Sequence, residues 1–202
     1  MKYKDAIILV FAKAPIAGTV NTRLIPVIGV ESATRLQESL LHKRLESITQ
    51  AALCDVLLMC APDVLHDCFR ECKNLYAISL LAQHGSDLGQ RLSNGIDFAL
   101  KSKQHIIVVG TDAPALDVAV IEQAIVALSS NDVVLVPAED GGYVLMGLSA
   151  YHPELFNNIE WGSDKVLQQT QAKVASLGLS LCQLATCWDI DREEDYKRYL
   201  DM

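Results

Sequence analysis

Four groups of polar residues lie far apart in the sequence, and each follows an apolar run. They are Lys13 with the loop to Arg23, Thr111-Asp112, Glu139-Asp140-Gly141-Gly142, and Asp189 with Asp191. Cations and exposed backbone N–H groups can hold phosphate, and carboxylate oxygens are the ligands that Mg²⁺ prefers. Together, these groups predict a site for a phosphorylated ligand and a divalent cation.

The segment after the first apolar run has the components of a phosphate-binding loop. Its sequence, FAKAPIAGTVNTRL at residues 11–24, combines a glycine, exposed N–H groups and two cations between a predicted strand and helix. It matches neither the P-loop pattern GxxxxGK[ST] nor the dinucleotide-binding pattern GxGxxG. Taken alone, the segment fits an ordinary surface loop equally well.

Three aspartates are candidate metal ligands. Asp112 follows a buried run and precedes Ala113-Pro114, so a stiff backbone should hold its carboxylate at the sheet edge. Asp117 is better placed to cap the next helix, which leaves Asp112 available for a metal. Asp189 and Asp191 would point to the same side of an extended segment, where a cation or solvent must separate their charges.

Two glycine-containing segments are candidates for contacts with the ligand. In Glu139 to Tyr143, the glycines permit positive φ and close approach of a ligand, although a plain tight turn is the simpler interpretation. Gln83 to Arg91 is a loop that opens onto a helix and offers Gln and Arg donors. Its spacing alone indicates only a loop with Asp87 as the helix cap.

The elements that must position these groups follow a β-α-β pattern. Strands are predicted at 6–12, 55–61 and 105–111, and helices at 31–50, 63–72 and 87–102. The run Ile106 to Val109 is apolar without alternation, which is typical of a parallel sheet covered on both faces. Ligands of such sheets bind at the carboxyl ends of the strands, so the separate polar groups could meet there.

The second half of the chain departs from this pattern. Only residues 139–142 connect the predicted strands 132–138 and 143–148, and no crossover helix fits into that connection. We therefore expect a mixed rather than a purely parallel sheet. The remaining predicted elements are a helix over 163–176, a strand near 179–187 and a C-terminal helix from about 192.

Length and composition indicate one α/β domain over residues 1–202, without a membrane span or a signal peptide, and we expect a cytoplasmic protein. The net charge of −8 argues against nucleic acid as a partner. Residues 1–45 carry seven basic and three acidic side chains, so any anion should bind to the N-terminal part.

The six cysteines indicate reduced thiols rather than a disulfide framework, because they form no C-x-x-C pair. Cys68 and Cys72 are one helical turn apart and could share a metal, but no neighbouring Cys or His pair completes a ligand set. The simpler interpretation is that both are small, semi-buried residues. The five histidines show no paired metal spacing either.

Taken together, these segments resemble a family of bacterial GT-A-like proteins described as radical-SAM/selenodomain-associated transferases, some of them glycosyltransferases of arsenosugar biosynthesis. The resemblance covers nearly the whole chain. It rests on FAKAPIAGTVNTRL at 11–24, QHGSDLGQRL at 83–92, GTDAP at 110–114, PAEDGGYVLMGL at 137–148 and WDID at 188–191.

The resemblance implies a GT-A, or nucleotide-diphospho-sugar transferase-like, fold with three α/β/α layers and a mixed, mostly parallel sheet. It implies an enzyme that binds Mg²⁺ or Mn²⁺, a nucleotide sugar or NTP, and a small-molecule acceptor. By position, the metal ligands would be Asp112, Asp189 and Asp191, and the catalytic residues Asp112, Asp140 and Glu139. The nucleotide and transferred group would contact Lys13, Gly18, Thr22, Arg23, Gln83, Gly85, Asp87, Gly89, Arg91, Gly141, Gly142 and Tyr143.

The chain departs from the family pattern at Asn21, where the family places Lys before Thr-Arg-Leu. A neutral amide cannot supply the charge that stabilises a departing pyrophosphate. Glycosyl transfer from a nucleotide sugar is therefore favoured over nucleotidyl transfer from an NTP. A non-catalytic nucleotide-binding protein is the third alternative, and the acceptor and the oligomeric state stay open.

Overall fold

A seven-stranded mixed sheet lies at the centre of the computed structural model, which describes residues 1–202. The strands are β1 (Ala6–Lys13), β2 (Asp55–Ala61), β3 (Ser79–Ala82), β4 (His105–Val109), β5 (Val133–Pro137), β6 (Tyr143–Leu148) and β7 (Leu181–Gln183). Their order is β3-β2-β1-β4-β6-β5-β7. Only β6 runs against its neighbours, which confirms the expected mixed, mostly parallel sheet.

Helices cover both faces of the sheet and complete the three-layer fold. They are α1 (Ile25–Ala51), α2 (Asp67–Tyr76), α3 (Leu88–Leu100), α4 (Val118–Ala127), α5 (Val166–Ser176) and α6 (Glu193–Leu200), with a 3₁₀ turn at Pro153–Phe156. Alternate strand residues face opposite layers. Ile8 and Val10 pack with α1, α2 and α4, whereas Leu9 packs with α3, α5 and the 3₁₀ turn. None of the helices combines the length and the apolar character that a membrane crossing needs.

Several boundaries differ from those expected from the sequence. The first helix begins at Ile25 rather than at residue 31. Gly29, with φ 79° and ψ 161°, interrupts it, so the long continuous part begins directly after Gly29. Helix α5 begins at Val166 rather than Ser163, because turns occupy the residues before it. The strand expected near 179–187 pairs only over Leu181–Gln183, followed by one bridge between Ala138 and Cys187.

Candidate active site

The carboxyl ends of β1 and β4 border a cavity of about 400 Å³. The two strands are parallel neighbours, and the order of the strands reverses between them. Such a reversal opens a crevice, because the connections leave the sheet in different directions. Lys13 is the last residue of β1, the loops after β4 and β5 contribute Asp112 and Asp140, and Asp189 comes from the segment before α6. Tertiary structure thus brings representatives of all four polar groups to one cavity.

Asp112 is held by the backbone on both sides of it. The buried guanidinium of Arg44, on α1, donates hydrogen bonds to the carbonyl oxygens of Leu116, at 2.7 Å, and Ala113. The N–H of Ile190 donates to the carbonyl oxygen of Asp112 at 2.8 Å, which joins this loop to the segment of Asp189. Gly110 leaves room for the carboxylate, since a Cβ there would lie 2.6 Å from Oδ1 of Asp112.

Burial, and then mutual repulsion, raise the pKa values of two carboxylates of the cavity. Asp112 is open to the cavity but otherwise surrounded by protein, and this burial raises the pKa of its carboxyl group. Arg44 opposes that pKa shift, whereas Asp140 and Asp191 add to it. Burial also raises the pKa of Asp189 to about 7, and the charges of Asp112, Asp140 and Asp191 contribute. A bound cation would offset both the poor solvation and the mutual repulsion of these carboxylates.

The chemistry of these donors fits a hard divalent cation. Asp112, Asp140 and Asp189 supply only carboxylate oxygens, which suit Mg²⁺ and Mn²⁺, and none of the cysteines or histidines lines the cavity. The three carboxylates do not all offer an oxygen within 4.8 Å of the others.

Asp191 and Arg23 form an ion pair of 2.5 Å in a depression of about 510 Å³ beside the cavity. This depression shares Asp140 and Asp189 with the cavity. The structure therefore pairs a residue expected to bind phosphate with a residue expected to bind metal. For Arg23 to bind phosphate and Asp191 to bind metal, the ion pair must open, or the two side chains must bind the ligand together.

Glu139 also lines the depression, but its carboxylate is occupied by a cation. Its two oxygens accept hydrogen bonds from Nη1 of Arg198 at 3.2 and 3.0 Å. The guanidinium of Arg198 lies over the ring of Trp188, 4.4 Å from the centroid. Glu139 therefore connects the turn after β5 to α6, whereas the neighbouring Asp140 faces the cavity.

The turn between β5 and β6 requires glycine at position 141. Gly141 adopts φ 90°, and a Cβ there would overlap the carbonyl of Asp164. The N–H of Leu167 donates to the carbonyl oxygen of Gly141 at 2.9 Å. Oδ1 of Asp140 accepts from the N–H of Gly142 at 2.8 Å, which orients the carboxylate. Burial raises the pKa of Tyr143, and its hydroxyl lies in the interior rather than in open solvent.

Lys13 is the only cationic side chain that lines the cavity. The amide of Gln37 donates to the carbonyl oxygen of Lys13 at 3.1 Å and so fixes the end of β1. Asn21 also lines the cavity, with φ 48°, and its side-chain amide donates to the carbonyl oxygen of Ala33 at 3.0 Å. Asn21 thus ties the loop to α1.

The segment from Gln83 to Arg91 contributes mainly through its packing. The amide of Gln83 lines the cavity and donates to carbonyl oxygens of β1 and β2. Arg91 uses Nε to bind the carbonyl oxygen of Gly85 at 3.1 Å, and Asp87 caps α3. A Cβ on Gly89 would lie 2.5 Å from Nε1 of Trp161, so Gly89 admits the indole that forms a wall of the cavity.

The expected residues therefore fall into three groups. The cavity is lined by Lys13, Gln83, Asp112, Asp140, Gly142, Tyr143 and Asp189. The depression adds Arg23, Glu139 and Asp191. Neither space is lined by Gly18, Thr22, Gly85, Asp87, Gly89, Arg91 or Gly141.

Sequence reasoning missed Arg44, Gln37 and Trp161. Arg44 had a detectable signal, because it interrupts the apolar face of α1 between Leu41 and Ile48, where a buried cation needs partners. Trp161 had none, since its contact with Gly89 joins segments that are distant in sequence.

Comparisons with known proteins agree with this fold. The model of a bacterial family, described as "Uncharacterized protein conserved in bacteria (DUF2064)", matches residues 44–163. A "putative nucleotide-diphospho-sugar transferase" from Desulfovibrio desulfuricans G20 has a TM-score of 0.86 and 28% identity, over 94% of this chain and 83% of that one. A search of functionally curated proteins finds no match.

Two more distant structures show the same fold. Rv0371c from Mycobacterium tuberculosis H37Rv, in complex with manganese, has a TM-score of 0.61 and 18% identity, over 98% of this chain and 99% of that one. The 4-diphosphocytidyl-2C-methyl-D-erythritol synthase from Anaerococcus prevotii DSM 20548 has a TM-score of 0.65 and 12% identity, over 98% and 99% respectively. The fold is therefore that of the nucleotide-diphospho-sugar transferases.

Proposed function

The chain belongs to the DUF2064 family, and we propose that it is a metal-dependent transferase with a nucleotide sugar as donor. The observation that carries the proposal is the meeting of Lys13 with Asp112, Asp140 and Asp189 around one cavity. A cation for phosphate then lies beside carboxylates for a divalent metal. The likeness to the Desulfovibrio protein supports the choice of donor.

The count of positive charges favours a diphosphate over a triphosphate. Lys13 is the single cation of the cavity, and the amide of Asn21 is engaged by Ala33. A departing pyrophosphate needs more positive charge than one lysine supplies. A nucleotide-sugar donor releases a nucleoside diphosphate as its leaving group, and the metal would neutralise most of the charge of that group.

Asp112 and Asp189 are the proposed metal ligands, and Asp140 lines the same cavity without being one of them. Mg²⁺ or Mn²⁺, when bound, would supply positive charge for the diphosphate and its leaving group. Asp191 joins the set only if its ion pair with Arg23 opens. Arg44 contributes indirectly, because it fixes the loop that carries Asp112.

Asp140 is the proposed general base. Its Oδ1 is held by the N–H of Gly142, which leaves Oδ2 to accept a proton. The acceptor hydroxyl attacks the anomeric carbon of the sugar, the bond from that carbon to the diphosphate oxygen breaks, and the hydroxyl proton passes to Asp140. Glu139 is less suited to this role because Arg198 occupies both of its oxygens.

The depression is the proposed entry for the small-molecule acceptor. It shares Asp140 with the cavity, so a hydroxyl entering from that side meets the proposed base. Gly162 and Ser163 line both spaces and would contact donor and acceptor. Acceptor choice would then depend on the 150–165 segment. The radical-SAM association stays a prediction.

Nucleotidyl transfer from an NTP is the second candidate. The observation in its favour is Arg23, which lines the depression and would add positive charge near the phosphates if Asp191 released it. In that reaction the acceptor attacks the α-phosphorus, and pyrophosphate leaves. The two reactions therefore differ in their products.

The test compares thermal unfolding of the purified protein with a panel of nucleotide sugars and NTPs, each with and without Mn²⁺. A ligand at a hundredfold excess over its Kd should stabilise the native state by about 2.7 kcal/mol. We expect a Mn²⁺-dependent response to a nucleotide sugar, lost in Asp112→Asn. The control is Asp117→Asn, because Asp117 caps α4 outside the cavity and Asn caps equally well.

Product analysis then separates the candidates. Release of a nucleoside diphosphate supports glycosyl transfer, and release of pyrophosphate supports nucleotidyl transfer. Binding without turnover over a panel of acceptors would indicate a nucleotide-binding protein, and no response to any nucleotide would contradict the proposal.

A further inference from the structure

Three metal-ligating side chains meet outside the candidate active site. His42 of α1 approaches Cys68 and Cys72 of α2, and one ligand atom of each lies within 4.8 Å of the others. None of the three lines the cavity or the depression. Cys68 and Cys72 are neighbours because they are one turn apart on the same helix face. The packing of α1 against α2 adds the histidine.

The distances are close to those of a zinc site. Nε2 of His42 lies 4.0 Å from Sγ of Cys72. Zn–S bonds of about 2.3 Å and Zn–N bonds of about 2.0 Å in a tetrahedron place N and S about 3.6 Å apart, and two sulfurs about 3.8 Å apart. The observed limit of 4.8 Å exceeds these separations by about 1.0 to 1.3 Å at most. Small side-chain rotations would therefore close the set.

Tyr76 places His42 in the tautomer that the site requires. Oη of Tyr76 donates to the carbonyl oxygen of His42 at 3.2 Å and lies 2.9 Å from Nδ1 of the same residue. With its own proton on the carbonyl, the phenol oxygen accepts from Nδ1–H, and Nε2 keeps a lone pair toward Cys72. Histidines that bind metals show this arrangement, in which the second ring nitrogen donates to an oriented oxygen.

Burial also favours this set of ligands. Cys72 is 0% and Cys68 5% exposed, whereas His42 is only partly buried, so an ion can reach the thiols from the side of His42. Two thiolates balance the charge of one Zn²⁺, and the imidazole stays neutral. A neutral centre avoids the cost of an unpaired charge in the interior.

We propose that His42, Cys68 and Cys72 form a second metal site, which binds Zn²⁺ and fastens α2 to α1. Two S–H bonds break as two Zn–S bonds form, and both protons pass to solvent without any change of oxidation state. Water takes the fourth position, which keeps the centre neutral. The site would stabilise α1, which also carries Gln37 and Arg44 beneath the active site.

The first test uses Co²⁺ as a probe, because thiolate ligands give Co²⁺ a charge-transfer band that carboxylate ligands do not. The reduced protein should develop this band with one equivalent of Co²⁺ and lose it on addition of Zn²⁺. Asp112→Asn should keep the band, because that substitution affects only the cavity of the candidate active site. Cys72→Ser should abolish it, whereas Cys182→Ser, at a half-buried cysteine outside the cluster, should not.

The second test measures Zn²⁺ affinity by competition with a chromogenic chelator. His42→Gln removes a ligand and should lower the affinity at least hundredfold. Tyr76→Phe keeps all three ligands and should lower it about 10- to 100-fold by releasing the histidine. Circular dichroism of the metal-free variants checks that each one folds. A missing charge-transfer band in the reduced protein, or unchanged affinity in folded His42→Gln, would overturn the proposal.

Discussion

Replacing Asp189 with asparagine should stabilise the metal-free protein at neutral pH. The folded environment raises the pKa of Asp189 from 3.8 to about 7, first through burial and then through its carboxylate neighbours. A raised pKa in the folded state means that ionisation of this group opposes folding. The penalty is absent below about pH 4, grows as the pH rises toward 7, and is complete above that value.

The magnitude follows from the pKa shift. About three pH units correspond to about 4 kcal/mol at 1.36 kcal/mol per unit. Asp189 is only partly buried, so solvent screening reduces the effect to about 1–2 kcal/mol. For a chain of this length, that free energy raises the unfolding midpoint by roughly 2–8 °C.

The assay is calorimetric unfolding of both proteins in EDTA from pH 4 to 8.5. The stability difference should be near zero at pH 4, increase toward pH 7 and then stay constant. Any effect of EDTA on the thiolate site is common to both proteins and cancels. With saturating Mn²⁺ the order should reverse, because the variant lacks a proposed ligand. A variant that is less stable in EDTA at every pH would refute the electrostatic argument.

Three further substitutions test other parts of the site. Asn21 has φ 48°, a conformation that lysine tolerates less well, so Asn21→Lys should lower the free energy of unfolding by about 1 kcal/mol. The added charge should raise NTP affinity about tenfold, and unchanged binding in a nucleotide titration would contradict the charge argument. Gly141→Ala should destabilise the protein by at least about 2 kcal/mol in denaturant unfolding, since its Cβ would overlap Asp164. The control is Gly178→Ala, where nothing lies near the added Cβ and only the backbone strain of a positive φ should lower stability. Arg44→Met leaves the carbonyl oxygens of Ala113 and Leu116 unpaired, so calorimetry should show that the free energy of unfolding falls by about 2–4 kcal/mol. Titration with Mn²⁺ should show a weaker affinity, and an unchanged affinity would mean that Arg44 does not support the metal ligands.

The elements with the strongest local signals could be predicted from sequence. The bounds of β2 and β6 match the expected strands, because both are apolar runs between polar or glycine-containing segments. The antiparallel placement of β6 followed from a connection too short for a helix. Strand β3 was missed because it is a four-residue edge strand, which depends on pairing with β2 rather than on a pattern of its own.

The candidate site was predictable where a side chain directly follows a strand. Lys13 and Asp112 directly follow the strands predicted at 6–12 and 105–111, and both line the cavity. Arg91 was expected to contact the nucleotide; it lines neither the cavity nor the depression, and its Nε donates to the carbonyl oxygen of Gly85 in the same loop. Sequence shows that a donor exists, whereas its partner depends on the local path of the backbone.

The amino-acid sequence alone determined the alternation of strands and helices, the mixed sheet and the residues at the strand ends. These features depend on periodicity and on neighbours in the chain, which the sequence contains. Tertiary structure decided which distant groups share a space: Asp112 with Asp189 through the hydrogen bond of Ile190, and His42 with Cys68 and Cys72 through the packing of α1 on α2. Such contacts arise from the direction in which each element packs, which no spacing along the chain specifies.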